Sequence, residues 1–243
     1  MRLLITITDI RKQRQLGKQL NDDNFEARVL EIQLNELTEL LNPALTYDLF
    51  DFLDNGFTNQ PGTYTRTSDK VFKAVSQDLT VWIGYSLRIN NTEFGIIKTA
   101  VLNGADTDIT LTDESETLPD SISTIDYSTE TKYINLLNGA DYELYGNTIR
   151  YFGLRAFIGW KLLATFVLDG SIKHSDVGNF SIKSMNFDIP NTGDKYAAKS
   201  IYLQNSTREE NKIINYLNEN STLFPLWNCK NDENIQSYSI NVI

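Results

Sequence analysis

Apolar residues recur every three or four positions along the first part of the chain, which is the spacing of one buried helix face. The capping residues Asp22-Asp23-Asn24 precede a periodic series that consists of Phe25, Val29, Ile32, Leu37, Leu40 and Leu41. Pro43 ends this helix, and residues 44–53 form a short further helix that stops at Asn55-Gly56. Together with a helix over residues 10–20, the pattern predicts a helical hairpin followed by a short third helix.

A second periodic segment follows a turn-rich loop at residues 57–67. Ser68-Asp69 offers cap chemistry before the apolar positions Val71, Phe72, Val75, Leu79, Trp82, Ile83 and Leu87. The spacing then becomes that of strands, with the hairpin signal Asn103-Gly104 between two short β-like runs. We predict a helix over 71–87, a β-hairpin over 94–112, and an exposed loop over the acidic, Ser/Thr-rich residues 113–131.

The second half of the chain is predicted to be largely helical. Residues 132–137 form a short helix or strand, and residues 151–168 are apolar enough for a helix that is buried on most sides. Apolar and polar residues alternate over 179–187, as in a strand. The pattern over 193–220 favours one long helix over two consecutive ones. Trp227 follows where the chain must turn, so it either packs back on the helix end or contacts a neighbouring molecule.

Composition and charge narrow the class of protein. Asp and Glu number 32 against 22 Lys and Arg, so the formal charge is −10, which disfavours binding to a phosphate backbone. A hydrophobic share of 41% is too high for a disordered chain. No stretch approaches the roughly 18 apolar residues of a membrane span, and the N-terminus lacks a signal-peptide pattern. We expect an acidic globular protein that stays soluble in the cell that makes it, or enters an assembly formed there.

The residues that could perform chemistry form no catalytic pattern. One histidine, His174, and one cysteine, Cys229, cannot build a disulfide or a Cys/His zinc site. The carboxylates near Asp113 are typical of a solvated acidic surface, and the dispersed glycines form no phosphate loop. We therefore predict no enzyme activity, no catalytic residue, no cofactor and no metal site. The aromatic share of 11% leaves an alternative function, a carbohydrate- or protein-binding module that uses exposed aromatic side chains.

The order of the elements resembles a known family more closely than any single motif does. The residues that carry the resemblance are Thr8-Asp9-Ile10, Leu136-Leu137-Asn138-Gly139-Ala140-Asp141-Tyr142-Glu143, Gly153-Leu154-Arg155-Ala156, the apolar helix to Leu168, Ser175-Asp176-Val177-Gly178, and the long helix closed by Asn220 and Phe224-Pro225-Leu226-Trp227. They are similar to the head–tail connector (adaptor or neck ring) proteins of tailed bacteriophages of Bacteroidetes, including crAss-like phages. The resemblance covers the first forty residues and roughly 133–228, and residues 57–131 depart from it.

The resemblance implies a virion structural protein of α+β, mainly α fold, with a helix-bundle body and projecting β-hairpins. In order, the predicted segments are an N-terminal helical hairpin of the body at 1–56, an inserted helix, hairpin and acidic loop at 57–131, body helices with a hairpin at 132–222, and a C-terminal arm at 223–243. Such proteins form rings, usually of twelve copies, between the portal and the tail, and DNA passes through the ring without specific binding. We expect Phe224, Leu226 and Trp227, and the hairpin at 93–112, to contact neighbouring subunits or the portal.

Overall fold

The chain folds into antiparallel β-sheets joined to helices, and the computed structural model describes residues 3–5, 25–91, 93–113, 115–169 and 192–227. The helices are α1 (Phe25–Leu41), α2 (Pro43–Asn55), α3 (Lys132–Asn138), α4 (Gly153–Asp169) and α5 (Thr192–Glu219), and Thr80–Trp82 forms a short 3-10 helix. The strands are β1 (Thr58–Gln60), β2 (Thr63–Arg66), β3 (Val71–Val75), β4 (Ser86–Ile89), β5 (Glu93–Asn103), β6 (Asp106–Leu111), β7 (Ile125–Ser128), β8 (Ala140–Leu144) and β9 (Asn147–Tyr151).

The prediction of a mainly α chain with a helix-bundle body and projecting hairpins is wrong. Seven strands form one sheet in the order β1-β7-β4-β5-β6-β3-β2, and β8 and β9 form a separate two-stranded sheet. The predicted hairpin exists as β5 and β6, but it lies within the larger sheet, because β4 pairs with β5 on one side and β3 pairs with β6 on the other. Strand pairing on both sides therefore turns the expected projection into the centre of a sheet.

The helix predicted over residues 71–87 is also wrong, because this segment contains β3, the 3-10 helix and β4. In β3 the side chains alternate between half-buried and buried, with Phe72 and Ala74 turned into the core. The apolar residues of this segment lie three or four positions apart because they belong to two strands and to the turn between them. The exposed loop predicted over 113–131 is wrong in part, since this segment includes β7 and buries Leu118 and Ile125.

The helix predictions that fall on described residues outside this segment are confirmed. Helices α1, α2 and α4 form where the apolar periodicity placed them, and residues 132–138 form a helix. Helix α5 is one continuous helix of 28 residues. The helix predicted over 10–20, the strand predicted over 179–187, His174 and Cys229 lie outside the described residues.

The long strand β5 connects the two halves of the seven-stranded sheet. Its first residues pair with β4 as far as Ile96, and from Ile97 onward it pairs with β6, with an irregular register between Ile97 and Thr99. Such a bulge bends a strand and increases its twist. The two halves share one hydrophobic core, which contains Phe72, Leu87, Ile97, Ile109, Ile125 and other buried residues. We call this the sheet core.

The helices, β8 and β9 enclose a second core, which we call the helical core. It contains the buried faces of α1, α2, α4 and α5. Phe94, at the start of β5, is 1% exposed and belongs to this helical core although its strand is part of the large sheet. Arg88 on β4 donates to the carbonyls of Leu53 and Asp54 at the end of α2, at 2.9 and 3.0 Å, and it pairs with Asp126 on β7. An apolar side chain and a charged one therefore join the sheet to the helices.

Two glycines bring α3 and α4 together at the base of the β8–β9 hairpin. Gly139 follows α3 with a φ of 95°, and Gly153 begins α4 with a φ of 79°. A β-carbon at Gly153 would lie 2.5 Å from the Gly139 nitrogen and closer still to the Leu137 carbonyl oxygen. Both the backbone conformation and the lack of space require glycine at this contact.

We expect Gly153→Ala to lower the free energy of unfolding by about 3 kcal/mol or more, because it adds backbone strain to a steric clash. Gly146→Ala is the matched control, since Gly146 also has a positive φ of 75° but a β-carbon added there would meet nothing within 4 Å. The control isolates backbone strain and should cost about 1–2 kcal/mol. Urea unfolding of both variants measures the difference, and equal losses would show that the close contact contributes nothing.

Candidate functional site

The C-terminal residues predicted to form an interface fold back on the chain itself. Phe224 and Trp227 are 1% and 5% exposed, whereas Leu226 is 41% exposed. The Trp227 Nε1 donates to Asn218 Oδ1 on α5 at 2.8 Å, so the indole packs against the end of its own helix. Of the two alternatives for Trp227, the structure shows the first. Whether any of these residues also contacts a neighbour stays a prediction, and Leu226 is the one that has exposed surface for it.

An asparagine between α1 and α2 holds this C-terminal turn. The Asn42 Nδ2 donates to the Leu226 carbonyl at 3.0 Å, and Asn42 Oδ1 accepts from the Leu45 amide at 3.0 Å as the N-cap of α2. Asn42 has φ of 70° and ψ of 161°, a conformation that is strained for any residue other than glycine. Residues 223–227 are therefore held against the junction of α1 and α2, where they close the helical core.

Phe224 is part of an aromatic cluster that crosses the helical core. Its ring lies 6.0 Å from Tyr133 and 6.0 Å from Tyr216, and Tyr216 stacks on Tyr151 at 4.5 Å. The Tyr151 hydroxyl donates to the Asn135 carbonyl at 2.6 Å. Burial raises the pKa of Tyr151 and Tyr216 above the ordinary value of 10.0, and burial beside Asp48 raises the pKa of Tyr133. The hydroxyl groups of these three tyrosines therefore stay protonated and uncharged.

A polar junction joins the sheet to α4 beside this cluster. Arg155 on α4 pairs with Glu116, and both side chains are largely buried. The other Glu116 oxygen accepts from the Phe94 amide, and the Asn138 Nδ2 donates to the Phe94 carbonyl at 3.2 Å. Residues Asn138, Gly139, Gly153 and Arg155, all among those that carry the resemblance, are therefore brought together in space. Their contacts show a role in holding the sheet against the helices.

Helices α1 and α2 carry many acidic side chains over a short stretch of chain. These two helices carry one basic residue, Arg28, and seven carboxylates, which are Glu26, Glu31, Glu36, Glu39, Asp48, Asp51 and Asp54. Five of the seven are exposed; Glu36 pairs with Lys161 on α4, and Asp48 accepts from the Tyr133 hydroxyl. The sheet segment, residues 57–131, is acidic as well, with 11 carboxylates against five basic residues, so the two parts share the acidic surplus. We call the exposed sides of α1 and α2 the acidic surface.

Large apolar side chains are exposed at the end of the sheet away from the helical core. Val101 and Leu102, near the tip of the β5–β6 hairpin, are 59% and 48% exposed. Val81 and Ile83, in and after the 3-10 helix, are 75% and 56% exposed. Strand β5 ends at Asn103, nine residues after Phe94, so its tip lies roughly 30 Å along the strand from Phe94. This end of the sheet is free for contact with another surface.

The three tryptophans do not form an exposed binding platform. Trp82 is buried in the sheet core, Trp160 is half-buried in α4, and Trp227 is buried in the helical core. The helix predicted around Trp82 is a strand–turn–strand segment. Sequence reasoning did not locate the β8–β9 hairpin, because Tyr145-Gly146 at its turn is not one of the typical two-residue hairpin signals.

Two absences hold for the part of the chain that the structure describes. No helix there is both long enough and apolar enough to cross a membrane. No group of three or more His, Cys, Asp or Glu side chains is placed there to hold a metal ion.

The protein therefore has two hydrophobic cores, and its antiparallel sheet is joined to its helices. The acidic surface lies on α1 and α2, and exposed apolar side chains lie at the end of the sheet. Residues 110–236 match the family of unknown function DUF6712, and the chain belongs to this family. The matched region runs from β6 through the polar junction and the aromatic cluster to beyond Trp227. No curated protein and no solved structure matches the chain.

We expect Phe224→Ala to destabilise the chain by about 3–5 kcal/mol, because it removes a buried ring from the aromatic cluster. Leu226→Ala is the matched control: Leu226 is 41% exposed, and we expect a cost below about 1 kcal/mol. Chemical unfolding monitored by circular dichroism measures both. A Phe224→Ala chain as stable as the unsubstituted one would contradict the buried position.

We expect stability to fall as pH rises above about 10. The raised pKa values keep the buried phenols neutral in the fold, whereas the unfolded chain loses these protons from about pH 10 upward, so stability is fully present below that pH. Each such tyrosine contributes a slope of up to about 1.4 kcal/mol per pH unit. Unfolding measured along a pH series should show a shallower slope for Tyr151→Phe than for the control variant Tyr47→Phe, in which a 72% exposed tyrosine is replaced. Equal slopes would refute this assignment.

Proposed function

We propose that this chain is a virion structural protein, a head–tail connector that forms a ring in the neck between portal and tail of a tailed bacteriophage. It is not an enzyme in this proposal, and it surrounds the channel through which DNA leaves the capsid. The observation that carries the proposal is the acidic surface, because five exposed carboxylates lie on two neighbouring helices that carry one basic residue. The resemblance seen in the sequence supports the same function, since several of the residues that carry it meet at the polar junction.

The acidic surface suits the wall of a DNA channel. Five exposed carboxylates on α1 and α2, repeated in each copy around a ring, create a negative potential that repels phosphates. Nucleic-acid affinity comes largely from Lys and Arg that displace counterions, and the two helices offer only Arg28. DNA would therefore pass such a wall without being held.

The alternative of a carbohydrate-binding module has less support. Stacking on sugars is favoured by exposed tryptophan, and none of the three tryptophans is exposed. Among the described residues, the exposed aromatic side chains are Tyr47, Tyr145, Phe152 and Tyr196, which lie on or beside different elements rather than on one platform. Exposed aromatics on separate elements fit contacts with several protein neighbours better than one sugar site.

The decisive experiment is negative-stain electron microscopy of the purified full chain, combined with light scattering over a range of concentrations. We expect closed rings with a central channel. A chain that stays monomeric at every concentration would overturn the proposal.

A charge variant tests the place of the acidic surface in such a ring. We expect the combined change Glu31→Gln, Glu39→Gln, Asp51→Asn and Asp54→Asn to leave assembly intact and to raise retention of duplex DNA several-fold at low salt. The control neutralises Asp113 and Asp120, which are 87% and 102% exposed on the sheet side of the molecule, and should leave DNA retention unchanged. If both variants retained DNA equally, the acidic surface would not line the channel.

A further inference from the structure

The tip of the β8–β9 hairpin holds a tyrosine in a conformation that suits other residues better. Leu144 pairs with Asn147, so Tyr145 and Gly146 form a two-residue turn, with φ of 51° and 75°. Two successive positive φ angles are the mark of a turn that prefers Asn-Gly or Asp-Gly. A tyrosine at the first position costs energy because its Cβ crowds the backbone in this left-handed conformation.

The fold gains no packing in return for this strain. The Tyr145 side chain is 94% exposed, the highest value among the large apolar and aromatic side chains of the described residues. Strained residues whose conformation does not serve the fold are found at functional sites. An exposed tyrosine on a rigid turn is also the type of residue that anchors protein interfaces. Together, strain and exposure point to a contact of Tyr145 outside its own chain.

A receptor for such an anchor is present on α5. A shallow, open depression of about 510 Å³, which we call the α5 groove, lies on one side of this helix; the described residues that line it are Tyr196, Lys199, Ser200, Leu203, Gln204 and Thr207. These positions are spaced by three and four residues, so they share one helix face. Tyr196 and Leu203 provide apolar area, at 59% and 38% exposure, and Lys199 provides a positive charge. Tyr145 is too exposed to occupy the groove of its own chain.

Charge also matches the two surfaces. Glu143 lies two residues before Tyr145 on β8 and is exposed, with one oxygen accepting a hydrogen bond from the Thr148 hydroxyl. A tip that carries an aromatic ring with a carboxylate beside it is complementary to an apolar groove that contains a lysine.

We propose that Tyr145 of one copy inserts into the α5 groove of a second copy, with Glu143 facing Lys199. The tip and the groove are different surfaces, so the contact is head-to-tail, and repeated contacts of this type close into a ring or continue as a filament. The inference rests on the proposed function, because it names the contact between neighbouring subunits of that ring.

Tyr145→Asn tests the inference without disturbing the fold. Asparagine suits the turn, so we expect an unchanged or higher Tm, together with self-association weakened about tenfold or more, as for loss of an interface anchor. Tyr47→Asn is the matched control, because Tyr47 is an exposed tyrosine on α2, away from both surfaces, and its loss should not change association. Sedimentation velocity measures association, and thermal unfolding measures Tm.

A charge exchange tests the orientation of the contact. Glu143→Lys and Lys199→Glu should each weaken association, and the double variant should restore it. Tyr145→Asn chains that assemble like the unsubstituted protein, or that lose Tm, would overturn this inference and leave the ring proposal standing. An unsubstituted chain that never associates would overturn both proposals.

Discussion

Two glycine backbones, at Gly139 and Gly153, pass so close to each other that neither position has room for a side chain. This contact places the end of α3 beside the start of α4, and the β8–β9 hairpin leaves and returns at the same point. It also puts Arg155, in the first turn of α4, and Asn138, at the end of α3, where both reach the start of β5. The attachment of the sheet to the helices therefore depends on a position where only hydrogen fits as a side chain.

The sheet and the helices keep separate cores, and charged groups join them at their border. Phe94 crosses that border as an apolar side chain, while Glu116 and Arg155 form a largely buried ion pair next to it. Arg88 satisfies carbonyls at the end of α2, where the helix dipole favours a cation. Ion pairs at such a border contribute little net stability compared with apolar packing, but breaking one leaves a costly unpaired charge. These ion pairs therefore fix the position of the sheet relative to the helices.

The three surfaces used by the proposed assembly lie on different elements, which is what a head-to-tail ring requires. The acidic surface is on α1 and α2, the anchor is on the β8–β9 turn, and the groove is on α5. The buried Phe224 and Trp227 belong to a fourth group, because their contacts maintain the helical core that supports these surfaces. In the proposed ring, stability and assembly would therefore depend on different side chains of the same chain.

The sequence by itself determined four of the described helices, because their buried faces follow a local spacing that needs no partner to be recognised. It did not determine the sheet. Residues 71–87 carry apolar spacings that fit a helix, and only pairing of β3 with β6 and of β4 with β5 and β7 makes them strands. The pentapeptide Leu-Asn-Gly-Ala-Asp shows the same limit: at 102–106 it forms the β5–β6 turn, whereas at 137–141 it ends α3 and begins β8. Likewise, the sequence predicted a turn near Trp227, but the hydrogen bond to Asn218 in the folded chain places the indole inside the fold. Strand pairing and burial arise between residues that are distant along the chain, so only the tertiary structure could decide them.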